Sequence, residues 1–119
     1  FWWFNMFADV DWSVTPRPVY HQDGRKGPDV YAEPARLRRR LFDRLGTFPL
    51  FQFWGPGASI TSTRWIADAA LDVLGEERPG ATFVYLPHLD YDHQRFGPTH
   101  PTSVQALRDV DAEVGKLVA

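Results

Sequence analysis

Residues 88–94, HLDYDHQ, place two histidines, two aspartates and a glutamine directly after the apolar run ATFVYLP. Carboxylate and imidazole in one short stretch suit zinc, manganese or iron. An EF-hand calcium loop would need a fixed acidic spacing and a central glycine, and neither is here. Asp9 and Asp11 follow another apolar run, FWWFNMF, in the same manner. Brought together, Asp9, Asp11, His88, Asp90, Asp92 and His93 would make a metal-assisted hydrolytic site. Each residue also has a plainer role. An aspartate after a strand commonly caps a turn or the next helix, and His88 and His100 fit hydrogen-bonded loop positions. Ser59, Thr61, Ser62 and Thr63 could set a hydroxyl at a helix N-terminus, where the dipole favours phosphate. Capping explains those four residues without chemistry. The run RLRRR at 36–40 fits the solvated face of an amphipathic helix.

The elements that must position these residues follow from periodicity. Phe1 to Phe7 is apolar on both faces, which predicts a strand covered on both sides. Residues 8–31 carry Pro16, Pro18, Pro28 and the turn DGRKG, and predict a long irregular loop. Pro34 opens a helix with Leu37, Leu41 and Leu45 at a spacing of four before Gly46. FPLFQFW, 48–54, predicts the second strand, and the glycine-broken GPGASITS leads into a helix. That helix carries Trp65, Ile66, Ala69, Ala70, Val73 and Leu74 on one face and stops at Gly75. ATFVYLP, 81–87, predicts the third strand. Thr102 and Gln105 match a capping box, ahead of a stripe of Val104, Leu107, Val110, Val114 and Leu117. Alternation of this kind implies a three-layer α/β domain, a mostly parallel sheet flanked by helices. In such sheets the ligand crevice lies outside the carboxyl ends of the strands, where the acidic residues would meet.

Composition limits the partners. The chain has 119 residues, 44% hydrophobic and 24% charged, which fits one globular domain. A formal net charge of −2 argues against a nucleic-acid groove. Without cysteine, disulfides and thiolate metal sites are excluded. No apolar run approaches the roughly 20 residues of a membrane span. The opening FWWFNMF and the closing VGKLVA, with no helix stop, predict an internal piece of a longer catalytic domain.

Three segments in order then carry a resemblance. FWGPGASI resembles the F-W-P-G-S stretch of the nucleotide pyrophosphatase/phosphodiesterase family, in the alkaline phosphatase superfamily. ATFVYLPHLDYDHQRFGP is similar to that family's strand running into P-D-x-x-G-H-x-x-G-P, and ALRDVDAEVGKL to its helix A-L-x-x-V-D-x-x-V-G-x-L. The match is close over residues 50–117 and loose before that.

The resemblance implies an alkaline-phosphatase-like fold and a hydrolase of phosphodiester or pyrophosphate bonds. Its substrate would be a small phosphorylated molecule such as a nucleotide. Two divalent metal ions, of which zinc is the family's choice, would act together at the phosphoryl group. Asp90 matches a metal-binding aspartate. The histidine four residues on falls on Gln94, and His93 lies one residue early. Either His93 reaches the metal, or Gln94 replaces the ligand, or the metal site is altered. Trp54, Gly55 and Gln94 would shape the rim of the pocket, with Gly97 and Pro98 fitting the same pattern. The nucleophile and remaining ligands are expected outside this stretch, in the rest of the same polypeptide, so the stretch alone should be inactive. The alternatives are a superfamily relative with other specificity (phosphomonoesterase, phosphonate hydrolase or sulfatase) and a non-catalytic α/β binding module that has lost the metal site.

Overall fold

The computed structural model describes residues 9–119, which divide into two compact units, one up to Leu50 and one from Phe51 onward. The strand expected at Phe1–Phe7 lies outside the described residues.

In the first unit the stretch expected to be an irregular loop is a β-ribbon. Four short strands, β1 (Ser13–Pro16), β2 (Val19–Tyr20), β3 (Lys26–Gly27) and β4 (Val30–Glu33), pair antiparallel as β1 with β4 and β2 with β3. One register runs through both pairs, from Ser13 opposite Glu33 to Tyr20 opposite Lys26, and it sets Pro18 opposite Pro28. Neither proline has an N–H to give, so the ladder breaks there. The Arg17 N–H donating to Asp29 O at 2.8 Å carries the pairing across the gap. At the tip, Gly24 takes φ +82° and its N–H donates to His21 O at 3.0 Å. The Asp-Gly pair thus makes the turn.

The helix α1 (Ala35–Leu45) lies where the leucine spacing places it, and it packs against β4. Val30, Leu37, Leu41, Phe48 and Leu50 are the buried apolar groups of this unit. Burying each such side chain is worth about 1.5–3 kcal/mol. Arg38 lies on the solvated face, donating to Asp29 at 2.7 Å and stacking on Phe42.

The second unit is helical: α2 (Ile60–Glu77), α3 (Leu89–Phe96) and α4 (Pro101–Val118), with both α2 and α3 packed on α4. Trp65, Ile66, Ala67, Ala69 and Val73 of α2 are buried, much as its periodicity requires. The helix does not stop at Gly75. It runs on to Glu77 and ends at Arg78, in the left-handed region at φ 49°, ahead of Pro79, which cannot continue a helix.

Three further expectations fail. FPLFQFW forms no strand: Leu50–Gln52 is a single 3-10 turn, followed by a second at Gly55–Gly57. ATFVYLP forms no strand either, and its Phe83 is 94% exposed. Apolar runs of this kind become strands only when neighbouring strands accept and donate along them. Among the described residues no strand pairs with either run, so the expected parallel sheet is not seen. Finally, α4 is turned away from the expected stripe, of which only Val110 and Leu117 stay half-buried. Ser103, Ala106 and Glu113 are buried, while Val104, Leu107 and Val114 are exposed. The capping box is absent too: His100 Nδ1 accepts the Thr102 N–H at 3.2 Å, Pro101 takes the first helical position, and Gln105 bonds Asp109.

Polar contacts explain that rotation of α4. The Glu113 carboxylate is 3% exposed and receives Arg64 Nε of α2 at 3.3 Å on one oxygen and Lys116 Nζ on the other. A buried carboxylate must be paired, and only this face of α4 brings it to Arg64.

Glu113→Ala should therefore lower the unfolding free energy by about 1–2 kcal/mol. Arg64 and Lys116 remain about half exposed and can return to water. Ile66→Ala, at a fully buried site in the same unit, should cost more, about 2–5 kcal/mol. Urea unfolding of both variants checks the pair. Equal losses would mean that the carboxylate matters as much as the apolar core.

Candidate functional site

The expected ligand loop is a helix. α3 begins just after Pro87, whose carbonyl accepts the Asp90 N–H at 3.1 Å, and ends at Gly97 with φ +79°. Asp90 and Asp92 occupy its first turn, His93 and Arg95 its last. That charge order complements the helix dipole, so the four residues have a structural reason to be there. The signal was present in the sequence: acids, then bases, then glycine and proline.

Hydrogen bonding, not helical spacing, picks the neighbour of Asp90, since positions three and four on both share its face. Gln94 Nε2 donates to Asp90 Oδ1 at 2.7 Å on an exposed surface. Gln94 thus holds the place beside Asp90, while His93 contributes its backbone carbonyl to the Gly97 cap and is half-buried. Tyr85 is the third neighbour. Burial and then the Asp90 and Tyr91 side chains raise its phenol above the ordinary value of 10.0.

A cleft lies beside α3, on the other side of the helix start. Phe53, Ala58, Ser59 and Ser62 form one wall, and Pro87, His88, Tyr91 and Asp92 the other. It encloses about 10 Å³, room for about one water molecule. Asp92, not Asp90, lines it. Ser59 caps α2, accepting the Thr61 N–H at 3.4 Å, and Ser62 Oγ lies 3.0 Å from Gln52 O and 3.2 Å from Ser59 O. Both hydroxyls are thereby given to chain geometry, as capping requires.

The turn at Gly55–Gly57 joins Phe53 to Ala58 of the first wall. Gly55 takes φ +72°, and a Cβ on Gly57 would sit 2.7 Å from Phe51 O, so glycine is required there. Trp54 is half-buried, its ring 5.1 Å from that of Phe53. Arg95 Nη2 reaches across from α3 to Gly55 O at 3.0 Å.

His88 matters more than its loop position suggested. Its side chain is 11% exposed, and Nε2 lies 3.8 Å from Asp109 Oδ2 of α4. Burial pulls its pKa below 6.5, against the opposing pull of Asp109 and Asp92 and with a smaller push from Arg64. The ring is therefore held neutral near pH 7.

Asp9 and Asp11 are exposed residues of the first unit. Among the described residues no group of three or more His, Asp or Glu side chains is arranged to hold a metal ion. Asp90 and His93 are one helical turn apart and supply at most two donors, fewer than the about three protein ligands of a catalytic zinc. The residues present do not make up a metal centre by themselves. No described helix is long and apolar enough to cross a membrane.

The family model described as Type I phosphodiesterase / nucleotide pyrophosphatase matches residues 1–119. No curated protein and no solved structure matches the chain.

The depressed His88 pKa carries a sign. The unfolded chain takes up the proton near pH 6.5, before the folded one does, so stability is full above that pH. It falls as pH drops from there to the folded-state pKa. His88→Gln should lose less stability than the parent between about pH 7.5 and pH 5.5. Urea unfolding at the two pH values decides it, and parallel losses would refute the role of His88.

Proposed function

The chain belongs to the type I phosphodiesterase/nucleotide pyrophosphatase family, and we propose that it forms part of a metal-dependent hydrolase of phosphodiester or pyrophosphate bonds. The family match over residues 1–119 carries this reading. Its substrate is a small phosphorylated molecule such as a nucleotide, bound on the Asp90 side of α3. Asp90 is the metal ligand contributed by this stretch, with His93 one turn away as the second donor. Two donors cannot hold a catalytic ion, so the other ligands, the second ion and the nucleophile come from residues beyond this stretch. The mostly parallel three-layer sheet belongs to the same proposal. Phe83, 94% exposed within the strand-like run 81–87, supports it.

Zinc is the proposed metal, bound through carboxylate and imidazole. Trp54, Gly55 and Gln94 form the rim. Gln94, the neutral neighbour of Asp90, is a donor and acceptor but a poor zinc ligand. Its hydrogen bond to Asp90 at 2.7 Å favours a second reading, a domain whose metal site has been lost.

In the intact protein, Asp90→Ala should reduce hydrolysis of an activated phosphodiester by at least about a hundredfold, through loss of an anionic ligand beside the phosphoryl group. A chelator should abolish turnover and a divalent ion restore it. Metal content measured on parent and variant separates the two readings. Near-normal turnover with full metal content in Asp90→Ala would refute the ligand role, and a metal-free, inactive parent would establish the second reading.

The stretch 1–119 expressed alone should bind zinc weakly and hydrolyse nothing. Ligands without their supporting hydrogen-bond partners lose affinity by about 10- to 100-fold, in addition to the missing donors. Calorimetric titration with zinc, with an assay on an activated phosphodiester, tests this. Submicromolar affinity with turnover would mean that the stretch holds a complete site.

A further inference from the structure

We propose that Arg95 is a positioning residue that holds the Gly55–Gly57 turn against α3, and so sets substrate affinity at the rim of the hydrolase site inferred above. The proposal rests on that reading for its reaction, but its geometry stands independently.

The turn and α3 come from distant parts of the chain. Phe53, Ala58 and Ser59 flank the Gly55–Gly57 turn, whereas His88, Tyr91 and Asp92 belong to α3 and its entry. Gly55 at φ +72° leaves the backbone permissive, and the Ala58 N–H bond to Gly55 O at 3.1 Å closes the turn only upon itself. The Ser59 N–H bond to Gln52 O at 3.0 Å closes it at the base. None of these contacts reaches α3.

Arg95 does. Its Nη2 donates to Gly55 O at 3.0 Å, forty positions away in sequence. The guanidinium is itself aimed by α3: Nη1 lies 4.0 Å from Asp92 Oδ1, and the group sits 5.8 Å from the centroid of the Tyr91 ring. Asp92 and Tyr91 both line the cleft, so the side chain that holds the turn is oriented by the opposite wall. A planar guanidinium can address carbonyl, carboxylate and ring at once from fixed donor directions, which an ammonium cannot. Gly55 O has two lone pairs, and Ala58 N–H and Arg95 Nη2 fill them. The last turn of α3 thereby holds Gly55, and with it the proposed rim, in place.

The consequence is specific to binding. Without the tether the turn relaxes before substrate arrives, and each binding event must re-order it. That cost falls on the ground state and the transition state alike, so KM rises while kcat is little changed. A purely structural loss acts otherwise: a smaller folded fraction lowers apparent kcat and leaves KM where it was.

The test is steady-state hydrolysis of an activated phosphodiester by the intact protein, with amide hydrogen exchange across residues 51–59, for parent, Arg95→Ala and Arg95→Lys. For Arg95→Ala, KM should rise about fivefold at a kcat within about twofold of the parent, the loss of one charged hydrogen bond at an exposed site. Exchange at the 55–59 amides should quicken. Arg95→Lys should fall between the two, since an ammonium can reach the carbonyl but not fix its direction. Unchanged KM and unchanged exchange in Arg95→Ala, beside an active parent, would overturn the proposal, as would a fall in kcat at constant KM. An inactive parent refutes the hydrolase reading instead, and exchange at 55–59 then decides the tether by itself.

Discussion

The helical unit depends on one buried charge. Glu113 sits in the C-terminal third of α4 with its carboxylate almost wholly removed from water, held by Arg64 of α2 and Lys116 of its own helix. Removing a carboxylate from water without partners would cost several kcal/mol, so the two helices can meet in few registers. Lys116 also approaches Asp68 of α2 at 3.8 Å, a second link of the same sign pattern. The pair is not a large source of stability, because both cations remain half in water. Its effect is selection: it decides which face of α4 turns inward.

The rest of the unit follows from that choice. With Ser103 on the inner face, its hydroxyl donates to Asp92 O of α3 at 3.2 Å, and Asp109 comes to 3.8 Å from His88. The Phe96 ring stacks on His100, the N-cap of α4, at 4.7 Å. These contacts hold α3 on α4, and α3 in turn holds the Gly55–Gly57 turn through Arg95. On the far side, Ser62 of α2 reaches Gln52 O at the base of the same turn. The cleft is therefore bounded by two helices that share α4 as their common support. The same choice leaves an apolar stripe outside: Val104, Leu107, Val114 and Val118 face solvent, with Leu107 54% exposed.

The helix α3 shows how one set of residues can serve geometry and chemistry together. Acids in its first turn and bases in its last favour the helix by the dipole alone, at about 0.3–1 kcal/mol each. The same order places Asp90 and Gln94 on one face and Asp92 with His88 and Tyr91 on the cleft. The Gln94 amide occupies one lone pair of the Asp90 carboxylate.

Local signals in the sequence determined α1, most of α2 and the N-cap at Ser59, because leucine spacing, a wide apolar face and a hydroxyl before a helix act within a few residues. They determined the family as well, through three motifs in order. The helix α3 was legible in its charges and in Gly97-Pro98, but its metal-ligand residue types pointed to a loop. Strands were the opposite case. Phe48–Trp54 and Ala81–Pro87 have strand composition, yet a strand exists only with a neighbour to bond, and the described residues supply none. The ribbon of β1–β4 was hidden for the same reason: its pairing spans up to twenty residues, and prolines at 16, 18 and 28 suggest a loop until Pro18 is seen opposite Pro28. Only tertiary structure could turn α4 onto Ser103 and Glu113, since apolar periodicity favoured Val104 and Leu107. The preference of a stripe of valine and leucine for cover was outweighed by a single carboxylate that had to find Arg64.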